Sequence, residues 1–359
     1  EKNILNKNQI ADPFILLSLI DNLKIQKINA ENHIKKKFQE YKSSNIKLNK
    51  LQNNQKIKIG YFSGEFHSHP CLLLMKDVYK NHNKSNFEIY AFSYGPNPKT
   101  NPWRDVVKPY FKTFFDVSKK SDEEITNLSD ELKLDIAVNL TGIANYERTS
   151  IFAKRVAPIQ INYLGFPGTM GAKFMDYIIT DNLIIPDKMK KHYTEKVIYL
   201  PNCYQANPRK IFDKSIKKKF SRKNLGLPEN GTVFCCFNNH YKITPSIFNS
   251  WMNILKRVDG SVMWIYVDKK YAQENLKKEA IKRNIDPNRI KFAENEKLEN
   301  HLERMKFADL FLDTWPYNAH TTASDSIRMG LPLLTLMGNS FSSRVASSIL
   351  SNIDVPELI

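Results

Sequence analysis

The chain has 359 residues, 42% of them hydrophobic and 11% aromatic. That is too much apolar material for one small domain and about right for two of ordinary size. The formal net charge of +17 invites a nucleic-acid role. However, the excess is mostly lysine, spread along the chain among Asn and Ile, and runs such as IKKKF (34–38) and SIKKKFSRK (215–223) read as solvated surface. The longest early apolar run, FILLSLI (14–20), is far below the roughly 20 residues a bilayer span takes, and no signal peptide is evident. A soluble, cytoplasmic chain with no membrane and no nucleic-acid partner is expected.

Apolar residues at helical spacing predict a helix over 13–41, followed by the polar linker KSSNIKLNKLQNNQ. Residues 1–50 therefore read as an N-terminal helical segment. Beyond it, short β-rich runs alternate with helical stretches. The strand candidates are KIGYFS, FEIYAFSY, LDIAVNL, IQINYLG, DYIITD and KVIYLP in the first half, and TVFCCF, SVMWIYV, RIKFAE, ADLFLD and LPLLTL in the second. This alternation predicts an α/β protein with parallel sheets covered on both faces. A basic, irregular connection over 203–229 separates the halves, giving two doubly wound, Rossmann-like domains at 56–205 and 206–359. Ligands of such sheets bind at the carboxyl ends of the strands, so a cleft lined by both edges is expected.

Cys71, Cys203, Cys235 and Cys236 show no CxxC spacing, and two are neighbours inside TVFCCF; reduced core thiols are expected, with neither zinc nor disulfides. His67 and His69 form an H-x-H pair, but no carboxylate or cysteine cluster accompanies them, so no metal site is expected. GFPGTMG (165–171) is neither GxGxxG nor GxxxxGK and reads as a tight turn. His33, His82 and His192 read as surface or helix-end residues, His240 as a packing residue, and Trp251 and Trp264 as core.

The stretch AHTTASDSIRMGLPLLTL (319–336) carries two readings. In one, Thr322 caps a helix and Asp325, three residues on, completes a capping-box-like pair. In the other, the unpaired N–H groups of the helix start hold a phosphate. The helix follows the strand candidate ADLFLD, and FCCFNNHYKITPSIF (234–248) is a second strand-to-helix turn that delivers Asn239 and Lys242 to the same edge. A lysine beside a threonine-rich helix start makes a diphosphate clamp, and the cap then doubles as the anion site.

These residues lie in blocks that resemble the catalytic region of family 41 glycosyltransferases, the O-linked N-acetylglucosamine transferase group, in a compact bacterial-type form. The blocks are GYFSGEFHSHP (60–70), RVAPIQINYLGFPGTMGAKFMDYIITD (155–181), EKVIYLPNCY (195–204), FNNHYKITPSIFNSWMNILKRV (237–258), ADLFLDTWPYNAHTTASDSIRMGLPLLTL (308–336) and SFSSRVASSIL (340–350). The resemblance implies a GT-B fold binding UDP-N-acetylglucosamine. It also implies inverting, metal-independent transfer to Ser or Thr hydroxyls of protein or peptide acceptors, with no cofactor. His69 matches a position at the sugar and acceptor end, and Lys242 the lysine that neutralises the diphosphate. His320, Thr321 and Thr322 match the phosphate and ribose segment, and Asp325 the ribose carboxylate. Asn239 stands where animal members carry glutamine, and His301 and Arg304 match the base-binding helix. His69 and a donor phosphate oxygen are both candidates for accepting the acceptor's proton.

The chain also departs from the family pattern. Glu65 stands where aspartate is usual, and Ile143 and Ala144 stand where many relatives carry a polar residue or histidine. The long insert of animal members and the tandem helical repeats are missing, so the N-terminal helices read as a stub of those repeats. The chain stops at NIDVPELI, where relatives continue, so the second domain is expected to be incomplete. Two alternatives remain open. One is an O-fucosyltransferase-like enzyme using a GDP-sugar, against which His320 and Asp325 speak. The other is a non-catalytic GT-B binding protein, against which the retained Lys242, His320, Thr321, Thr322 and Asp325 speak.

Overall fold

The computed structural model describes residues 2–7, 9–38, 55–96, 98, 101–211 and 218–359. The chain divides into two compact units, Glu1–Leu16 with Asn22–Ile211, and Leu17–Asp21 with Phe212–Ile359. No helix among the described residues is long and apolar enough to cross a membrane.

The N-terminal helices are α1 (Lys2–Lys7), α2 (Pro13–Leu19) and α3 (Leu23–Lys37). The continuous helix expected from residue 13 is therefore broken at 20–22, and residues 39–41 of that expectation, like nearly all of the polar linker, lie outside the described residues. The break has a local cause. Asn22 is extended (φ −139°, ψ 104°) and its side-chain oxygen accepts the Ile25 N–H, so a new helix starts there. Asp21 is drawn into the second unit, where its carboxylate accepts the N–H groups of Asn339 and Ser340 and the Ser343 hydroxyl, each at 2.7 Å.

The first unit is built on β1 (Ile57–Ser63), α4 (Pro70–Asn81), β2 (Phe87–Ser93), α5 (Pro102–Val107), β3 (Thr113–Asp116), α6 (Asp122–Leu132), β4 (Ile136–Asn139), α7 (Thr149–Ala153), β5 (Ile159–Asn162), β6 (Tyr177–Thr180) and β7 (Lys196–Tyr199). The seven strands form one parallel sheet in the order β3-β2-β1-β4-β5-β6-β7. Strand β3 is absent from the sequence expectations. It lies at the sheet edge with both ends exposed, so it lacks the continuous apolar run that marks a strand covered on both faces.

The second unit contains β8 (Val233–Cys236), α8 (Pro245–Arg257), β9 (Val262–Tyr266), α9 (Lys270–Ile281), β10 (Ile290–Ala293), α10 (Leu298–Met305), β11 (Leu310–Leu312), α11 (Thr321–Arg328), β12 (Leu333–Leu334) and α12 (Val345–Ser351). Its sheet is also parallel, in the order β10-β9-β8-β11-β12. Strand β8 is buried at every residue, as its apolar sequence VFCC requires of a central strand. Trp251 and Trp264 are core residues, at 2% and 1% exposure.

In each sheet the strand order reverses beside the first strand, between β1 and β4 and between β8 and β11. Loops leaving two such strands diverge to opposite faces and open a crevice at their carboxyl ends. In the first unit, close backbone packing shapes that edge. A Cβ on Gly165, just past β5, would lie 1.9 Å from the Leu140 carbonyl oxygen, and Gly142 has φ +63°. The GFPGTMG stretch is thus pressed against the end of β4. Gly165→Ala is expected to lower stability by about 2 kcal/mol or more, read as a drop in the midpoint of chemical denaturation.

Candidate functional site

In the second unit the site is built on the buried carboxylate of Asp313, the first residue after β11. Its Oδ1 accepts the Thr314 N–H at 2.7 Å, the Ala319 N–H at 2.7 Å and the Asn238 amide at 3.0 Å; its Oδ2 accepts the Thr335 hydroxyl at 2.6 Å. Asn238, directly beyond β8, also donates to the Thr314 hydroxyl at 2.8 Å. The strand ends that flank the reversal are thereby joined, and the loop 313–320 is folded back on its own start. Burial raises the Asp313 pKa against these donors.

Lys242 sits on this platform. A short 3₁₀ turn, His240–Lys242, follows Asn239, and Thr244 then caps α8 by accepting the Ile247 N–H. The Lys242 Nζ donates to the Asn318 carbonyl at 2.9 Å and lies 3.7 Å from the centre of the Tyr317 ring. Among the described residues it has no carboxylate within ion-pair distance. Burial pulls its pKa down to about 8, against the opposing pull of Asp313, so at neutral pH it remains an ammonium whose charge is uncompensated at contact distance.

His320 packs on Tyr317, with ring centres 4.9 Å apart, and its Nε2 lies 3.2 Å from the Ser342 carbonyl. Burial first, then Lys242, drives its pKa well below the ordinary imidazole value, so the neutral ring donates through Nε2. The expected capping box is not formed. The N-cap of α11 is His320, which makes no side-chain cap bond, and the helix already begins at Thr321. The Thr322 hydroxyl is instead drawn to the Asn238 side-chain oxygen. Within α11 the N–H groups of Ala323 and Ser324 turn back to the His320 carbonyl, while those of Thr321 and Thr322 have no intrahelical acceptor. Asp325 is buried, its carboxylate accepts no hydrogen bond among the described residues, and burial pushes its pKa up to about 7 despite Arg328.

His301 and Arg304 meet each other at the end of β8. The Arg304 Nη2 is 2.7 Å from His301 Nδ1, and the guanidinium also donates to the Glu294 carbonyl at 2.5 Å. The imidazole stands edge-on to Phe237 at 5.1 Å. Burial, then Arg304, lowers its pKa to about 3. Arg304, at 2% exposure, thus fixes the ring with Nδ1 as acceptor. Asn239 is exposed and its side chain makes no cap bond.

In the first unit, His69 is the N-cap of α4. Its Nδ1 accepts the Cys71 N–H at 3.3 Å. Burial, then His67, lowers its pKa to about 4. A neutral ring with Nδ1 accepting carries its proton on Nε2. His67 lies 5.7 Å from it between ring centres. Four cysteines are free thiols, and no group of three or more His, Cys, Asp or Glu among the described residues is placed to hold a metal ion.

Sequence reasoning had named Lys242, His320, Thr321, Thr322 and Asp325, and these residues do lie on one edge of one sheet. It had missed Asp313, Asn238, Tyr317 and Asn318. An aspartate directly after an apolar strand, and an Asn pair where one was singled out, were the available signals.

The family model described as glycosyl transferase family 41 matches residues 20–220 and 216–359. The chain is 36% identical over 300 residues to the probable UDP-N-acetylglucosamine–peptide N-acetylglucosaminyltransferase SEC of Arabidopsis thaliana, covering 82% of this chain and 30% of that protein. To the UDP-N-acetylglucosamine–peptide N-acetylglucosaminyltransferase of Caenorhabditis elegans it is 28% identical over 423 residues, covering 86% and 36%. It thus spans about a third of the length of these curated relatives. A mutant of the Thermobaculum terrenum O-GlcNAc transferase matches with a TM-score of 0.86 at 24% identity, over 95% of this chain and 64% of that one. That likeness establishes the fold, which is the GT-B fold expected from the sequence.

Asp313→Ala strands four donors, among them the Asn238 amide beyond β8. It is expected to cost at least about 2 kcal/mol and to loosen the 313–320 loop, read as a lower melting temperature and faster amide exchange at Ala319.

Proposed function

The chain belongs to glycosyl transferase family 41, and from that premise we propose that it moves N-acetylglucosamine from UDP-N-acetylglucosamine to Ser or Thr hydroxyls of proteins or peptides. The transfer inverts the anomeric carbon and uses neither a metal ion nor another cofactor. The names of the relatives supply the donor and the acceptor class. The observation that carries the reading is the buried, uncompensated ammonium of Lys242 beside the start of α11.

The chemistry follows from the charge that must be accommodated. As the bond from the anomeric carbon to the phosphate oxygen breaks, negative charge grows on the diphosphate, and fixed donors in a buried site stabilise it without reorganisation. In this reading Lys242 supplies the cation, and Thr321 and Thr322 offer the open N–H groups of the helix start. His320 closes the segment from its other side. The carboxylate of Asp325, which accepts no hydrogen bond among the described residues, accepts the ribose hydroxyls, and an apolar wall of Phe237 and His301, held by Arg304, receives the base. Asn239 lies three residues before Lys242 with its side chain spent on no cap, available to the donor. His69 has its proton-accepting nitrogen occupied by the α4 cap, so it acts on the sugar or acceptor as a donor through Nε2.

Calorimetric titration with UDP in EDTA, repeated with GDP, tests the donor assignment; saturable binding of UDP alone is the expected result. The pH dependence follows from the two shifted groups. Asp325 becomes a carboxylate above about 7, and Lys242 loses its proton above about 8. UDP affinity is therefore expected to peak between these values. Above pH 8 it falls about tenfold per unit while the bound lysine stays protonated, by proton linkage. Asp325→Asn removes the acidic limb and Lys242→Met the alkaline one. Lys242→Ala is expected to abolish transfer with the fold retained, since it removes a buried charge that has no ionic partner in contact. Wild-type turnover in that variant would refute the role of Lys242.

A further inference from the structure

At the amino ends of β1, β2 and β3, the sheet edge opposite the strand-order crevice, the first unit holds a cavity of about 170 Å³. Lys56 precedes β1, Phe87 and Glu88 open β2, Tyr110 and Lys112 precede β3, and His82 ends α4. The donor chemistry uses none of them. Charge does not balance there. Glu88 is spent on Lys112, at 2.7 Å, and on the Tyr90 hydroxyl, at 2.9 Å. Lys56 and Lys84, both exposed and both lining the cavity, form no ion pair among the described residues. Two positive charges therefore remain without a counter-charge.

A half-buried imidazole adds a donor. His82 Nε2 lies 2.8 Å from the hydroxyl of Tyr61, which is 5% exposed. Burial keeps that phenol protonated, and Nε2 is its one hydrogen-bond partner among the described residues, so it donates there. Burial also lowers the His82 pKa. The neutral ring then carries its proton on Nδ1, which makes no hydrogen bond among the described residues. Aromatic surface completes the lining. Phe87 stands edge-on to His82 at 5.8 Å, and Phe111, 7% exposed, is held against Tyr79 at 4.7 Å. Lysines kept for solubility call for no such walls, whereas ligand cavities combine aromatic lining with a few polar groups. Because α4 ends here, its dipole opposes an anion, and the attraction falls to the side chains.

We propose that this cavity binds a phosphomonoester carried on a planar aromatic ring. Such an ester carries nearly two negative charges at neutral pH, which Lys56 and Lys84 match; a carboxylate would leave one lysine unanswered. The His82 Nδ1–H donates to a phosphate oxygen, and the ring lies against Phe87, Tyr110 and Phe111. The site belongs to the first unit alone and stands whether or not the transfer reaction does.

Phenyl phosphate is the probe, titrated calorimetrically into the full chain, with inorganic phosphate and benzoate for comparison. Saturable binding in the millimolar range or tighter is expected, with both comparison anions weaker by about fivefold or more. Reversing both charges, Lys56→Glu with Lys84→Glu, should weaken phenyl phosphate about tenfold or more while leaving the melting temperature and UDP binding as in wild type. In proton NMR the His82 Cε1–H resonance, assigned by its loss in His82→Gln, should move with the calorimetric midpoint. Lys242 offers the competing site for a phosphate, so Lys242→Met should leave phenyl phosphate affinity unchanged. Loss of binding in Lys242→Met, or a His82 resonance that stays in place, overturns the proposal. So does a wild type that does not saturate, or a charge-reversed variant that binds like wild type. Inorganic phosphate binding as tightly as phenyl phosphate overturns it too, since the aromatic walls would then play no part.

Discussion

The sheet edge of the second unit depends on one buried carboxylate. Asp313 has four donors converging on it, from its own loop, from the end of β8 and from Thr335. A carboxylate taken out of water without such donors would protonate or unfold its surroundings. With them, it turns a loop of irregular backbone into a rigid platform. Three features of the site are placed by that platform: the Asn318 carbonyl that receives Lys242, the Tyr317 ring beneath it, and the Ala319 N–H from which the chain enters α11. The ammonium is held by a carbonyl dipole and an aromatic face, neither of which neutralises it. Its charge therefore remains available to an anion, at the cost of a depressed pKa.

The two units solve the same problem in related ways. Each parallel sheet reverses its order beside its first strand, and in each a polar side chain ties the diverging loops together. In the first unit Glu65 is bound to Thr141, and in the second Asn238 is bound to Asp313 and Thr314. The difference lies in saturation. Asp313 has both oxygens engaged and is a scaffold. Among the described residues, the hydroxyls of Ser63 and Thr141 reach only one oxygen of Glu65, and Asp325 accepts no hydrogen bond. Burial raises the pKa of all three, so the number of donors, and not the depth, distinguishes Asp313 from the other two.

Much of the fold was legible in the sequence because parallel strands covered on both faces write themselves as apolar runs. Strands such as TVFCCF and SVMWIYV were found for that reason, and the edge strand β3 was missed because it has an exposed side. The helix break at Asn22 was illegible for a different reason. The apolar period continues across it, and only Asn22's extended backbone and the engagement of Asp21 by Ser340 and Ser343, more than 300 residues later in sequence, reveal it. The opening of α11 shows the same limit. A threonine followed three residues on by an aspartate satisfies a local capping pattern, yet the hydroxyl of Thr322 finds Asn238 on another strand.

The sequence by itself determined the alternation of strands and helices and, through several blocks in register, the family. These are properties of local pattern, and local pattern is what one chain displays. Only the tertiary structure decided which donors each buried polar group receives. That assignment separates Asn238 from its neighbour Asn239, makes His69 a cap with its proton on Nε2, and ties Glu65 to Ser63 and Thr141. Hydrogen bonds between residues 70 to 80 positions apart depend on strand order and register, and those are fixed by burial of both sheet faces at once rather than by any segment alone.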